Sequence, residues 1–311
     1  MKFGKVLVTG FEKSELSPST LKQLNSLVQK VIFSSNPNTN DRKNTDCLLC
    51  KFNPVDKNTI DSLPNLKYIG VMSTGYAKVD TNYAKSKGIV VTNVPGYSAE
   101  SVAEFVIAVI LEHIRQLEKA KAQARKGNYS ESGFSATEIK DKTFGILGLG
   151  RIGSRVAELA LGFGANVCYW SRERKRVLEK KGIKFENADT LIPKCDFLSL
   201  HFALNKETEN FLNKKRIAKV KKGAVVINTA PMELVDLDAL ETRLKAGDIT
   251  FILDHSDEMS SANLKRLSKY KNCIIYPPIA YISKEAGQTK QEILIKNMEN
   301  FLKGSPSNVV N

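Results

Sequence analysis

The feature that most constrains this chain is a glycine triplet that directly follows an apolar run. Residues 143–147, TFGIL, are typical of a buried strand, and GLGRIG at residues 148–153 leads from it into a helical stretch. In this context the first glycine allows a tight turn, the second lets backbone approach a pyrophosphate, and the third lets the helix pack against the strand. The sequence therefore predicts a dinucleotide site whose phosphate-binding turn contains Gly148, Gly150, Arg151, Ile152 and Gly153.

The end of the next strand-like run, residues 166–170, indicates which dinucleotide is bound. A carboxylate at that point would accept hydrogen bonds from a ribose 2′-hydroxyl, but the chain has Ser171 and Arg172 there. Ser171 can donate to a 2′-phosphate, and Arg172 can pair with it through charge-assisted bonds worth about 1.5–3 kcal/mol. We therefore expect NADP(H) to be favoured over NAD(H).

The rest of the chain reads as an α/β protein with two cores. Its 311 residues exceed one typical domain. Short β-rich runs alternate with helical stretches up to about residue 97, and a second such series opens at Thr143. Between them an apolar stripe at helical spacing predicts one long helix that ends before Gly127, with Ser101 and Glu104 as a capping box.

The formal net charge of +14 raises the question of nucleic acid. The lysines are scattered, and no nucleic-acid motif accompanies them, so a solvated basic surface is expected and nucleic-acid binding is not. Such a surface favours anionic ligands, including a phosphorylated cofactor.

No run approaches the roughly 18 apolar residues that a membrane span needs. The N-terminal residues lead into a strand-like run with no signal-peptide pattern, which predicts a cytoplasmic protein without membrane association. The five cysteines are odd in number and lie mostly in apolar runs. We expect them to be reduced core residues and expect no metal site.

Several motifs follow one another over nearly the whole chain. They are Ser-Thr-Gly-Tyr at residues 73–76, VAE at 102–104, the glycine turn, DFLSLH at 196–201, VINTA at 226–230 and the C-terminal MENFL at 298–302. In this order they resemble the D-isomer-specific 2-hydroxyacid dehydrogenase family. The Ser-Thr-Gly-Tyr form is most similar to the glycerate dehydrogenase and hydroxypyruvate reductase branch of that family.

The resemblance implies two Rossmann-like, doubly wound parallel-sheet domains. Residues 1–97 with 285–311 would form a flavodoxin-like substrate domain, and residues 98–284 the dinucleotide-binding domain. Cofactor contacts would come from Thr229, Ala230 and Asp254, the last at the nicotinamide amide. A small-molecule substrate and a homodimer built on the helix that contains Glu104 and His113 are implied as well.

The chain departs from the family pattern at its catalytic positions. The arginine that clamps a substrate carboxylate is replaced by Pro231, and the histidine that acts as general acid and base by Pro278. Losing a positioned general acid typically forfeits about 10²–10⁴ in rate, so ordinary 2-oxoacid reduction is not expected. Glu258 lies one place early relative to the glutamate that orients the histidine in the family.

Two functions remain open on the sequence. The first is an NAD(P)-dependent oxidoreductase with a divergent site acting on a non-standard carbonyl, imine or hydroxy substrate. Its candidate catalytic residues are His255, Glu258 and Tyr76, and the histidine has a pKa suited to proton transfer near neutrality. The second is a catalytically inactive NADP(H)-binding regulatory or interaction protein.

Overall fold

The computed structural model describes residues 2–311, so Met1, which opens the N-terminal run considered above, lies outside the described residues. All strand pairs between the named strands are parallel. In chain order the strands are β1 (Phe3–Val8), β2 (Val28–Phe33), β3 (Cys47–Cys50), β4 (Tyr68–Val71), β5 (Val90–Thr92), β6 (Thr143–Leu147), β7 (Asn166–Trp170), β8 (Lys184–Phe185), β9 (Phe197–Leu200), β10 (Val225–Asn228), β11 (Thr250–Leu253) and β12 (Cys273–Ile275).

The helices cover both faces of these sheets. They are α1 (Pro18–Leu27), α2 (Thr39–Lys43), α3 (Lys57–Asp61), α4 (Thr81–Ser86), α5 (Ala99–Ile114), α6 (Leu117–Ala124), α7 (Arg151–Gly162), α8 (Arg176–Glu179), α9 (Ala188–Leu191), α10 (Lys214–Lys219), α11 (Leu237–Ala246), α12 (Ser261–Leu267) and α13 (Lys284–Leu302). Short 3-10 turns lie at Lys13–Glu15, Ile192–Lys194, Met232–Leu234 and Ser256–Glu258.

The chain divides into two compact units. Unit 1 consists of the residues up to Ser98 together with Ser283–Asn311, and unit 2 of Ala99–Ile282. Each unit contains one parallel sheet, which confirms the expected class of two doubly wound α/β domains.

Unit 1 has five strands in the order β2-β1-β3-β4-β5, the order of flavodoxin-like folds. The central strands β3 and β4 are buried along their whole length, because helices cover both faces of the sheet. Helices α1 and α13 contribute to the core on one face, and α3 and α4 to the core on the other. The last residues of the chain add an antiparallel bridge, Thr92 to Val309, at the free edge of β5.

Unit 2 has seven strands in the order β12-β11-β10-β9-β6-β7-β8. The chain runs outward from β6 through β7 to β8, then returns to the other side of β6 to form β9. This reversal creates a switch point between β6 and β9, and ligands of such sheets bind beyond the carboxyl ends of the strands there. Helices α5 and α7 cover one face, and α9 to α12 cover the other.

The prediction of a single long helix that ends before Gly127 is wrong. Gln116 adopts a left-handed conformation with φ of 51° and separates α5 from α6. The polar segment that follows folds back here, since Thr137 donates its backbone N–H to the carbonyl of Ile114 and the Gln116 side chain donates to the carbonyl of Ser135. The predicted capping box of Ser101 and Glu104 is wrong too, because α5 begins at Ala99 and Ser101 therefore lies inside the helix.

Three further observations bear on function. No helix within residues 2–311 combines the length and apolarity needed to cross a membrane. All five cysteines are free thiols with buried side chains. Over the same residues, no group of three or more histidine, cysteine or acidic side chains is arranged to hold a metal ion.

Candidate functional site

The glycine turn between β6 and α7 is packed so closely that two of its glycines cannot be replaced without movement. Gly148 has a φ of +97°, and a Cβ there would lie 2.7 Å from the backbone oxygen of His201. A Cβ on Gly153 would lie 2.0 Å from the backbone oxygen of Gly148. The first turn of α7 therefore lies directly against the end of β6.

Gly150 has the opposite environment. It is the N-cap of α7, its side-chain position faces open space, and no side chain caps the helix. Arg151 is exposed and Ile152 partly buried in the first turn of α7. The first backbone N–H groups of α7 are left for a ligand, and such N–H groups, with the positive end of the helix dipole, favour phosphate.

The other cofactor residues expected from the sequence lie along the same edge of the sheet. Register places the last residues of adjacent strands side by side, Leu147 with Trp170 and Leu200, and Asn228 with Leu200 and Leu253. The residues one position beyond this row are Gly148, Ser171, His201, Thr229 and Asp254. Five segments far apart in sequence thus meet at the carboxyl edge of one sheet.

Four buried polar atoms at this edge have no hydrogen-bond partner among residues 2–311. They are Nδ1 of His201, Oγ1 of Thr229, Oδ1 of Asp254 and Nδ1 of His255, the residue directly after Asp254. Leaving such a group unsatisfied costs about 1–3 kcal/mol, so these atoms indicate a place where a bound molecule completes the hydrogen bonding. A carboxamide and a ribose, the polar parts of a nicotinamide nucleoside, supply the donors and acceptors that these atoms require.

Asp254 is held in place by its second oxygen. Oδ2 accepts the backbone N–H of Ala280 at 3.0 Å, and the residue is 2% exposed. Burial raises the pKa of the Asp254 carboxyl above its ordinary value. The free Oδ1 is therefore fixed in a dry environment, where an N–H donor from a ligand is bound strongly.

At the end of β7, the two residues expected to read the ribose have different surroundings. Ser171 is buried, and its hydroxyl donates to the backbone carbonyl of Glu173 at 2.5 Å. Arg172 extends into solvent with its side chain 78% exposed, and its Nη1 lies 3.3 Å from Oε2 of Glu207, which is equally exposed. An ion pair between exposed side chains is weak, so a phosphate can displace it.

Arg174, two positions after Arg172, is already engaged in other contacts. Arg174 forms a 2.6 Å ion pair with Glu179 and lies over the ring of Phe185. The guanidinium of Arg174 lowers the pKa of Glu179 to about 2. A ligand can therefore recruit Arg172 without breaking a well-formed pair. Lys175, 3.6 Å from the exposed Glu173, is weakly paired as well.

Comparison with known proteins identifies the lineage of this site. Residues 107–280 match the family model "D-isomer specific 2-hydroxyacid dehydrogenase, NAD binding domain". A hydroxypyruvate reductase from Blautia hydrogenotrophica is 33% identical over 267 residues, 83% of this chain and 82% of that protein. The chain belongs to the D-isomer-specific 2-hydroxyacid dehydrogenase family. It is accordingly an oxidoreductase by descent, and the resemblance stated from the motifs is confirmed.

Solved structures of this family extend the likeness to the whole chain. An acyclic imino acid reductase in complex with NADPH and D-Arg is 30% identical, with a TM-score of 0.85, over 99% of this chain and all of that one. A D-lactate dehydrogenase from Aquifex aeolicus, complexed with NAD and lactic acid, is also 30% identical, with a TM-score of 0.82 and 96% of each chain covered. The family fold is thus found with either dinucleotide.

The segment after β10 contains Pro231, at the position where the resemblance implies the family's arginine. Pro231 begins the 3-10 turn Met232–Leu234. Met232 is buried, and its sulfur accepts the side-chain N–H of Asn228 at 3.3 Å. Ala230, the remaining cofactor residue expected in this segment, is buried, and its backbone N–H donates to the Asn228 side chain at 3.2 Å. This segment supplies packing and backbone contacts and carries no charged group at position 231.

The loop after β11 contains two of the candidate proton donors. In it, Nδ1 of His255 lies 3.4 Å from Oε2 of Glu258. The structure thus brings together two of the three candidate catalytic residues, directly after Asp254. Pro278 lies in the loop that follows β12 and has neither a side-chain donor nor a backbone N–H.

Tyr76, the third candidate, belongs to unit 1. It lies in the loop after β4 and is 39% exposed. The pair of Arg172 with Glu207 was missed on the sequence, because the two residues are 35 positions apart and no local pattern links them. A systematic check for charges in the loops that follow the switch-point strands would have found Glu207.

Proposed function

We propose that this chain is an NADP(H)-dependent reductase with a divergent site, and that imines are the substrate class which its residues fit best. One observation carries the proposal. The edge of unit 2 has a closely packed glycine turn and unsatisfied buried atoms at Thr229 and Asp254, and the chain has proline at positions 231 and 278, where the resemblance places the family's arginine and histidine.

Each part of the cofactor has a candidate partner. The N-terminus of α7 would hold the pyrophosphate, Arg172 the 2′-phosphate, and Asp254 with Thr229 the nicotinamide end. When bound, the nicotinamide supplies a hydride for an electrophilic carbon. The protein's own task is to orient both molecules and, where needed, to move a proton.

The proton requirement favours an imine over a carbonyl. Reducing a carbonyl places negative charge on oxygen, so a general acid must deliver a proton, and Pro278 cannot. A protonated imine already carries that proton on nitrogen, and hydride addition leaves a neutral amine. The loss of the family's histidine therefore costs little for this substrate class.

The charge requirement favours the same conclusion. A guanidinium at position 231 would repel a cationic iminium group, and Pro231 removes that repulsion. The likeness to an acyclic imino acid reductase over 99% of the chain supports the proposal independently.

For carbonyl substrates the pair of His255 and Glu258 is the proposed proton donor. The histidine side chain is 30% exposed, but its Nδ1 is buried and forms no hydrogen bond with any of the described residues. A hydrogen bond from Nδ1 to Glu258, whose Oε2 lies 3.4 Å away, would orient the ring, as the third group of a catalytic triad does. Tyr76 stays a candidate donor from unit 1.

The test follows NADPH absorbance with a panel of substrates. We expect turnover of imines, formed from 2-oxoacids with ammonia or an alkylamine, and none at the usual rate of the family with glyoxylate or hydroxypyruvate alone. His255→Ala and Glu258→Gln should lower turnover of aldehydes and ketones and spare turnover of imines. Rapid glyoxylate reduction would contradict the proposal, and tight NADPH binding without any turnover would support the inactive, NADP(H)-binding alternative.

We also propose a homodimer. A groove of about 910 Å³ beside the C-terminal half of α5 is lined by apolar and charged side chains, among them Val109, His113 and Ile114. Leu117, at the start of α6, is 45% exposed, and exposed apolar groups of this kind are typical of protein interfaces. Light scattering after size-exclusion chromatography should give twice the monomer mass, and the monomer mass alone would contradict this proposal.

A further inference from the structure

A second cluster of charged groups lies at the carboxyl edge of the sheet in unit 1, outside the dinucleotide site. Lys51 directly follows β3, and Glu15 lies in the 3-10 turn Lys13–Glu15, between β1 and α1. The Nζ of Lys51 lies 2.7 Å from Oε2 of Glu15. The carboxyl edge of a parallel sheet is where such folds bind ligands.

Lys290, on α13, brings a second ammonium to this cluster. Its side chain is half-buried, and its Nζ forms no ion pair or hydrogen bond with any of the described residues. The Nζ lies 5.5 Å from the centre of the Tyr97 ring. Burial, and after it the charge of Lys51, lowers the pKa of Lys290.

The cluster is held together by a polar residue next to Lys290. Gln291 accepts the backbone N–H of Ser17 at 2.8 Å and donates to the backbone carbonyl of Glu15 at 3.1 Å. These two bonds fix the 3-10 turn to α13. Since Lys51 is paired with Glu15 of the same turn, the turn connects the segments that carry Lys51 and Lys290.

The charges of this cluster do not balance. Two ammonium groups share one carboxylate, and that carboxylate is engaged with Lys51. A half-buried ammonium that contacts an aromatic ring but no carboxylate is unfavourable, because burial removes hydration that no paired counter-charge replaces. Phe52, which is 49% exposed, lies beside Lys51 and adds an apolar surface to the same place.

We propose that Lys51 and Lys290 form a binding site for an oxyanion, a carboxylate or a phosphate group, carried by a small molecule. As a binding site in unit 1, it does not depend on the cofactor or on catalysis.

The experiment measures anion binding by the full chain without cofactor. Glutarate and inorganic phosphate are titrated separately, and the ε-methylene signals of the lysines are followed by NMR. We expect saturable shifts of the Lys290 signal with at least one probe. The affinities for glutarate and for phosphate are then compared. The tighter binding shows whether the site prefers a carboxylate or a phosphate group.

Variants assign the site. We expect Lys290→Met to weaken binding about tenfold, the size of one charge-assisted contact, and Lys290→Arg to retain it. Lys296→Met is the matched control, because Lys296 lies on the same helix with its side chain 63% exposed, and its binding should equal that of the wild type.

Two results would overturn the inference. One is the absence of saturable binding of either anion by the wild type. The other is equal binding by Lys290→Met and the wild type, with thermal melts showing that both are folded. Neither readout uses NADPH turnover, so loss of the proposed reductase activity and loss of this site are distinguished directly.

Discussion

Arg172 is the residue on which the choice between the two dinucleotides depends. Its guanidinium is almost fully exposed and bound only to the exposed Glu207, whereas Arg174 is engaged with Glu179 and Phe185. A 2′-phosphate carries more negative charge than a carboxylate and offers more acceptor oxygens. It can therefore compete with Glu207 for Arg172.

The first prediction concerns this competition. Replacing Arg172 with Ala should weaken NADPH binding about 10- to 100-fold, from the loss of about 1.5–3 kcal/mol, and leave NADH binding nearly unchanged. Glu207→Gln should strengthen NADPH binding several-fold, because Arg172 is released. Fluorescence titration measures both. Lys180→Ala, an exposed cation at the end of α8, is the control, and equal losses for NADH and NADPH in Arg172→Ala would refute this role.

The second prediction concerns the effect of His201 on the pH dependence of stability. Its Nε2 is bonded to Oγ of Ser199 at 2.8 Å, and burial lowers the pKa of the ring to about 3 from its ordinary 6.5. As pH falls below 6.5, the unfolded chain binds a proton that the folded ring refuses, so stability is lost towards pH 3. The loss should amount to about 2 kcal/mol between pH 6.5 and 5.

Urea unfolding of the wild type and of His201→Gln at these two pH values measures that loss. The variant should lose clearly less stability than the wild type over the interval. The same loss in both proteins would show that the His201 ring does not titrate in this way.

At the scale of elements, the turn between β6 and α7 combines two requirements in six residues. Gly148 and Gly153 allow backbone to approach backbone, and Gly150 leaves the end of the helix open. Gly148 and Gly153 are therefore required for packing, whereas Gly150 gives a ligand access to the end of the helix. Adding one methyl group at Gly150 or at Gly153 tests these two roles separately.

Alanine at Gly153 should destabilise unit 2 by about 2 kcal/mol or more, because its Cβ would lie 2.0 Å from a backbone oxygen. Alanine at Gly150 should change stability by less than about 0.5 kcal/mol and yet weaken NADPH binding, since the methyl group enters the open space at the helix end. Thermal melts and cofactor titrations of both variants distinguish packing from access. Equal destabilisation by the two substitutions would contradict this division.

For the whole molecule, the two units have separate sheets and separate cores. The proposed cofactor contacts lie in unit 2 alone, at the loops that follow β6, β7, β10 and β11. A ligand that binds the native state stabilises the segments which it contacts. Its effect should therefore be uneven along the chain.

Hydrogen exchange followed by mass spectrometry tests this distribution. NADPH should slow exchange in peptides that contain residues 148–153, 171–172, 229–230 and 254. Peptides from β1 and β2 in unit 1 should exchange as before. Protection that is absent from the glycine turn, or strongest in β1 and β2, would place the cofactor elsewhere.

The sequence by itself determined the features that depend on neighbouring residues. The strand, turn and helix around residues 143–162 follow from an apolar run and three glycines. Hydrogen bonds within a helix and the steric demands of a turn involve residues only a few positions apart. Family membership could be predicted for the same reason, since short motifs in order carried it.

Only the tertiary structure decided which distant side chains meet. The contact of Arg172 with Glu207, the cluster of Lys51 with Lys290, and the unsatisfied oxygen of Asp254 all depend on strand order and on burial. The break at Gln116 depends on a segment about twenty residues further along the chain. In this segment Thr137 donates its backbone N–H to the carbonyl of Ile114, and the carbonyl of Ser135 accepts from the Gln116 side chain. Burial and ion pairing are set by packing between elements, and no local pattern in the sequence encodes which elements will touch.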